Sequence, residues 1–442
     1  MSKKAPVDIL FEPIKRFINN STTSGILLFS SATLALILSN SPWHDQFHHL
    51  WEINFGFSFN NFYIEKSLHH WINDGLMAVF FFVVGLELKR EIIAGELNEP
   101  RKAMLPIACA IGGMVFPAAV YLLFNHSEYS SKGWGIPMAT DIAFALGVLY
   151  LLGDKVPLTL KVFLTALAIA DDLGAVLVIA LFYTSDINIT SLLTGSIFMG
   201  AMIISNILGV RSVLWYGILG IGGLWLAFLM SGVHATIAAV LAAFTIPANV
   251  KIDELTFVKR MENLMQKFRT ARPNNVSTVT NEQLHILEEV RHLSQSALTP
   301  LQRLEHTMHP LVAFVIMPIF ALSNAGITVS GDLSDHLFSP VTLGVMFGLL
   351  AGKVIGVAGV AYIFLKLKWV TMPAGLNFSH IVGAGFLAAV GFTMSLFITG
   401  LAFANPDYTL QAKLGILVAS LTGSFVGYFI IRKSLKPSIT KI

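Results

Sequence analysis

The sequence predicts an all-α integral membrane protein with about twelve transmembrane helices, two of them broken and crossing within inverted repeats. Three observations carry this reading. Charged residues make up only 12% of the 442 positions and hydrophobic residues 55%, with a mean hydropathy of +0.70; a soluble domain carries about 25% charged residues. Apolar segments recur near residues 24–41, 68–88, 103–125, 134–152, 158–183, 190–209, 212–230, 232–248, 309–328, 340–365, 379–402 and 411–431, most of them long enough to cross a bilayer. The basic residues alternate between connections. Of the 29 lysines and arginines, all but Lys66, Lys132, Lys353 and Lys413 fall on the termini or on every second loop. The positive-inside rule then puts both termini in the cytoplasm, in agreement with an even number of spans.

Taken in order, residues 1–23 form a cytoplasmic segment with an interfacial amphipathic helix near 8–19. Its Asp8 and Glu12 are too acidic for the n-region of a signal peptide, so the first span is expected to be retained. Spans one to eight occupy 24–248. The outer connection 42–67 alternates around Gly56 and Asn60-Asn61, as in a β-hairpin whose open edge suits pairing in a dimer; an aromatic interfacial loop fits the same residues. Residues 249–308 form a cytoplasmic loop with a polar break at 270–280. Thr280-Asn281-Glu282-Gln283 then reads as a capping box. Spans nine to twelve occupy 309–432, and 433–442 form a cytoplasmic tail. The single cysteine, Cys109, excludes an intrachain disulfide framework. The net charge of +3 reflects this topology and does not imply nucleic acid.

Chemistry is concentrated in the spans. Asp171 and Asp172 are the only charges past Lys161 in the fifth span. An intramembrane carboxylate costs about 2.5–3.5 kcal/mol on insertion scales, so an adjacent pair points to function. In the preceding span Gly133, Gly135 and Pro137 weaken the helix just before Thr140 and Asp141. Gly383, Gly385 and Gly391-Phe392-Thr393-Met394-Ser395 provide a counterpart near the C-terminus. Two interrupted spans in corresponding positions mark an inverted-repeat transporter with a midplane site. Lys353, in a glycine-rich apolar span, must face the interior and find a partner; Asp171 is one candidate. Carboxylates and hydroxyls are hard oxygen ligands suited to alkali cations. Protons and Na⁺ that exclude each other at such a site are thereby coupled, and if two acids titrate while one Na⁺ binds, the exchange is electrogenic.

Ala139-Thr140-Asp141-Ile142-Ala143-Phe144-Ala145, Ala168-Ile169-Ala170-Asp171-Asp172-Leu173-Gly174, Gly85-Leu86-Glu87-Leu88-Lys89-Arg90-Glu91, Ser231-Gly232-Val233-His234-Ala235-Thr236 and Arg303-Leu304-Glu305-His306 together resemble the bacterial NhaA-type sodium–proton antiporters, over roughly 10–248 and 300–432. The resemblance implies an electrogenic antiporter of the bacterial inner membrane, exchanging intracellular Na⁺ or Li⁺ for extracellular H⁺ and serving sodium and pH homeostasis. It implies a homodimer and no cofactor beyond the transported ions. Asp171 and Asp172 would carry Na⁺ and H⁺. Thr140 and Asp141 would line the crossing of the broken helices, with Lys353 pairing with an aspartate or itself exchanging a proton. Glu87, Glu305, His306 and His309 would form a pH-sensing cluster, and His234 would tune the pH response. The residues alone leave room for Thr140 as a packing hydroxyl, for Glu87 to Glu91 as an interfacial charge cluster and for His234 as a structural histidine. The 249–308 loop is longer and more charged than the family pattern.

Other classes fit less well. A sodium-coupled solute symporter uses the same fold logic but wants a larger and more varied polar pocket. An intramembrane aspartyl protease would lack its Tyr-Asp and Gly-x-Gly-Asp signatures here. Gly352-Lys353 lacks the rest of a Walker A loop.

Overall fold

A computed structural model describes residues 21–59, 62–184, 187–271, 278–328 and 333–435. The amphipathic segment expected at 8–19, the tail from 436 and the middle of the 270–280 break lie outside the described residues.

Helix occupies every one of the twelve apolar segments. The chain runs α1 (Ser21–Ser39), α2 (His44–Glu52), β1 (Asn54–Phe59), β2 (Phe62–Ser67) and α3 (Met77–Ala94), which is entered through a π-helical turn at Trp71–Leu76. There follow α4 (Pro100–Phe124), a 3₁₀ stretch at Lys132–Met138, α5 (Ile142–Tyr150), α6 (Leu158–Phe182) and α7 (Ile189–Ile207). Next come α8 (Val213–Leu229), α9 (Ala235–Thr245), α10 (Glu254–Thr270), α11 (Asn281–Ala297) and α12 (Pro300–Asn324). The chain ends with α13 (Pro340–Lys366), α14 (Phe378–Ala388), α15 (Phe392–Ala402) and α16 (Pro406–Ser434).

By length and apolarity six of these cross a membrane unaided: α4, α6, α7, α12, α13 and α16. Three bent pairs raise the number to nine among the described residues: Thr23–Ser39 with α2 at 115°, Glu128–Met138 with α5 at 42°, and α14 with α15 at 45°. The protein is thus a multi-pass helical membrane protein with several broken helices. The count falls short of the twelve apolar segments for physical reasons. α8 and α9 are apolar but short, and the last two turns of α3 carry Glu87, Lys89, Arg90 and Glu91.

The connection after α1 also differs in detail from the sequence expectation. Its first part, within the 42–67 stretch, is the helix α2, because Phe47 and Trp51, four residues apart, share a buried face. The antiparallel pairing of β1 with β2 runs from Asn54 opposite Ser67 to Phe59 opposite Phe62. On the long loop, α10 packs on α11 around Leu264, Ile286 and Leu293. Both halves of the Thr280–Gln283 capping box are present at the start of α11.

The packing that matters for the site is α4 against α6 and α13, with α16 closing over α13 and α14. α13 approaches α4 closely because its contact face is glycine. A Cβ at Gly352 would stand 2.6 Å from Pro117 Cα, and one at Gly356 2.2 Å from the Gly112 carbonyl oxygen. Small residues let membrane helices touch backbone to backbone, and here that contact carries the long side chain of Lys353 into the interior.

Candidate ion-binding site

α6 is uninterrupted and places Asp171 and Asp172 inside the bundle, 1% and 0% exposed. Adjacent helical residues diverge by about 100°, so the two carboxylates meet different neighbours. Asp171 Oδ2 is engaged twice: Lys353 Nζ donates to it, and Thr140 Oγ1 lies 2.5 Å away. Asp171 Oδ1 and both oxygens of Asp172 are buried without a hydrogen-bond partner among the described residues. Buried polar atoms are almost always satisfied, so three orphaned carboxylate oxygens on adjacent residues are able to take up a cation or protons.

The two interrupted spans supply the surroundings. After the 3₁₀ stretch, Ala139 is extended, and Asp141 becomes the N-cap of α5. After α14 the helix stops at Ala388 and resumes as α15 at Phe392. The breaks cross, with the Asp141 N–H donating to the Val390 carbonyl at 2.7 Å. Non-helical backbone at membrane depth is tolerated only inside protein or beside water, and each free end here has a partner. Asp141 Oδ1 accepts from the Phe144 N–H at 3.0 Å, capping α5. Its Oδ2 accepts from the Thr393 N–H at 3.1 Å and the Thr393 hydroxyl at 2.5 Å, capping α15. One carboxylate therefore sits at two helix N-termini, where the dipoles favour negative charge. Lys353 Nζ also donates to the Met138 carbonyl, placing a cation at the C-terminal end of the 3₁₀ stretch. Thr140 Oγ1 is 2.8 Å from the Ala388 carbonyl at the end of α14. Its one proton serves either that carbonyl or Asp171 at a time.

The structure thus brings Thr140, Asp141, Asp171, Asp172 and Lys353 into one buried region, none more than 1% exposed. It adds two residues to which sequence reasoning gave no role. Thr393 holds Asp141, and the Ser395 hydroxyl donates to the Ile136 carbonyl at 2.8 Å. The available signal was their position just after the Gly391 break, where a hydroxyl commonly satisfies a freed backbone group.

A cavity of about 320 Å³ is lined by Glu87, His309 and Asp141 among apolar residues of α3, α5 and α12. The residues of the expected pH cluster make the following contacts. Arg90 Nε donates to both Glu305 oxygens, at 2.9 and 3.1 Å, and Arg90 Nη1 lies 2.8 Å from Glu91 Oε1. His309 Nε2 is 4.0 Å from Glu87 Oε1. His306 is exposed. His234 lies elsewhere, with Nε2 2.7 Å from the Tyr183 carbonyl at the end of α6.

Two broken spans that cross at their breaks, beside buried acids with unpartnered oxygens and a buried lysine, define a secondary transporter for a small cation rather than an enzyme. Comparison with known proteins places it further. Residues 15–431 match the family described as Na+/H+ antiporter 1, and the chain belongs to that family. It is 48% identical over 427 residues, 96% of this chain and 92% of the relative, to Na(+)/H(+) antiporter NhaA 1 of Saccharophagus degradans. To Na(+)/H(+) antiporter NhaA of Oleidesulfovibrio alaskensis it is 48% identical over 432 residues, 98% and 96% of the two chains. The NhaA antiporter of Sulfurimonas denitrificans is 43% identical over 438 residues, 98% of each.

Proposed function

We propose that this chain is an electrogenic secondary antiporter that exchanges intracellular Na⁺ or Li⁺ for extracellular H⁺. The observation that carries the reading is the set of orphaned oxygens, Asp171 Oδ1 and Asp172 Oδ1 and Oδ2, beside the Thr140 hydroxyl. This is a hard-oxygen donor set, suited to an alkali cation. Na⁺ occupies it when the carboxylates are ionised, and protons displace Na⁺ when they are not. Alternating access makes that competition an exchange. Asp141 and Lys353 balance the broken-helix ends, and Lys353 releases Asp171 when the ion binds. Glu87, Glu305 and His309 form the cytoplasmic pH-responsive mouth, with His306 at its exposed edge and His234 acting from the opposite end. The topology is twelve spans in the bacterial inner membrane with both termini cytoplasmic, and two copies pair through the β1–β2 edge.

Everted vesicles from antiporter-deficient cells test the reading. After respiration acidifies them, NaCl or LiCl is expected to dissipate the pH gradient, KCl is not, and Asp172→Asn is expected to abolish the response. No sodium response between pH 6 and 9, with the protein in the membrane, would sink the reading and redirect attention to sodium-dependent solute uptake.

A further inference from the structure

We propose that Thr393 is a positioning residue of this site: it holds Asp141 on the helix ends and thereby keeps Oδ2 of that carboxylate from capturing the transported cation. The inference rests on the antiport reading. A cation inside the 320 Å³ cavity meets Asp141, which lines it, whereas Asp171 and Asp172 are not among the lining residues. A free carboxylate there is a hard-oxygen ligand placed ahead of the exchange site. Asp141 is not free. Oδ1 accepts from the Phe144 N–H, and Oδ2 accepts from both the Thr393 N–H and the Thr393 hydroxyl. A carboxylate oxygen offers two lone-pair sites, so two donors saturate Oδ2. The hydroxyl contact, 2.5 Å, is the shorter of the two. Hydrogen bonds to an ionised acceptor are roughly twice as strong as neutral ones, so the arrangement is firmly held. Thr393 is 0% exposed and Asp141 1%, so the pair sits within the bundle.

The consequence is a division of labour among three acids. Asp141 lends its charge to the entry cavity and draws cations in, but offers no landing place on Oδ2. The unpartnered oxygens of Asp171 and Asp172 remain the place where the ion binds. Transport requires binding tight enough to enter and weak enough to leave. A further carboxylate oxygen, freed on Asp141 and added to those three, would deepen the bound state and slow release.

The test compares the wild-type chain, Thr393→Val and Thr393→Ser in proteoliposomes, measuring initial proton movement against Na⁺ concentration at one fixed pH. Thr393→Val is expected to lower the apparent KM for Na⁺ several-fold and the maximal rate by at least as much, and Thr393→Ser to restore both. A structural defect raises KM or lowers the rate alone, so an unchanged or raised KM in Thr393→Val overturns the proposal. If the valine variant does not reconstitute, Thr393→Ala is read by the same criterion. Failure of the antiport reading shows separately, as absence of sodium-driven proton movement in the wild-type chain.

Discussion

Lys353 and Asp171 stand 182 residues apart in the chain and meet inside the bundle, each side chain 1% exposed. The lysine simultaneously holds the Met138 carbonyl, so one ammonium joins α13, α6 and the end of the first interrupted span.

Removing one partner of a buried pair leaves an uncompensated charge and costs about 3–5 kcal/mol. Lys353→Ala is therefore expected to lower the unfolding midpoint strongly in detergent, and the double variant with Asp171→Asn to recover most of the loss. Losses in Lys353→Ala and Asp171→Asn that simply add in the double variant would show that the two residues are not energetically coupled.

Asp172 behaves oppositely. With neither oxygen bonded to protein, Asp172→Asn breaks no hydrogen bond and removes a buried carboxylate. Its thermal midpoint is expected to equal or exceed that of wild type while Na⁺-driven proton movement disappears. Calorimetry and the vesicle assay on the same preparation check both halves.

Thr140 bridges Asp171 and the Ala388 carbonyl. Thr140→Val strands a buried acceptor, at a cost of about 1–3 kcal/mol, and removes an oxygen from the ion site. The expected result is a raised KM for Na⁺ together with a lowered midpoint. Thr140→Ser should retain both wild-type values.

The Arg90–Glu305 pair is more accessible, with the Arg90 side chain 36% exposed. Ion pairs of this kind contribute about 0–1 kcal/mol. Glu305→Gln is expected to leave the unfolding midpoint within that range and to move the pH at which exchange switches on. An unmoved pH profile would remove Glu305 from the pH response.

On the long loop, the Thr256 side chain and backbone N–H hold the Asp253 carboxyl below its ordinary range. A lowered folded-state pKa stabilises the ionised cap above the unfolded value, and that contribution is lost as pH falls through the folded value. The first turn of α10 is thus expected to be insensitive to pH at neutrality and to fray only under acid. Amide exchange at Leu255–Val258 reports this, and Asp253→Ala should fray at every pH.

Much of this site was legible because membrane sequences expose their exceptions. Asp171, Asp172 and Lys353 stand out as charges in apolar runs, and Pro137 with its neighbouring glycines marks a helix that cannot continue. Other features had no one-dimensional signature. That Asp141 caps α5 follows from local chain direction, but that it also caps α15 depends on how two distant breaks cross. Thr393 accordingly went unassigned. The helix α2 precedes the alternation around Gly56 and Asn60-Asn61 that suggests the hairpin, in a short, polar run with few apolar positions to mark it. Spans such as α9, Ala235–Thr245, look in sequence like any other apolar segment, and their shortness emerges only once the caps are seen.

The crossing of the two interrupted spans also governs how the protein is made. Asp141 and Thr393 are 252 residues apart, and synthesis proceeds at about 5–20 residues per second. The first broken span therefore waits roughly 12–50 s in the bilayer before Val390 and Thr393 are made. During that interval the Asp141 carboxylate and amide lack their later partners. Maturation must end with a late docking step in which the C-terminal spans close over an N-terminal half already inserted. A ribosome stalled before codon 390 would leave a membrane-inserted chain whose Asp141 still lacks Val390 and Thr393, a natural substrate for quality-control proteases.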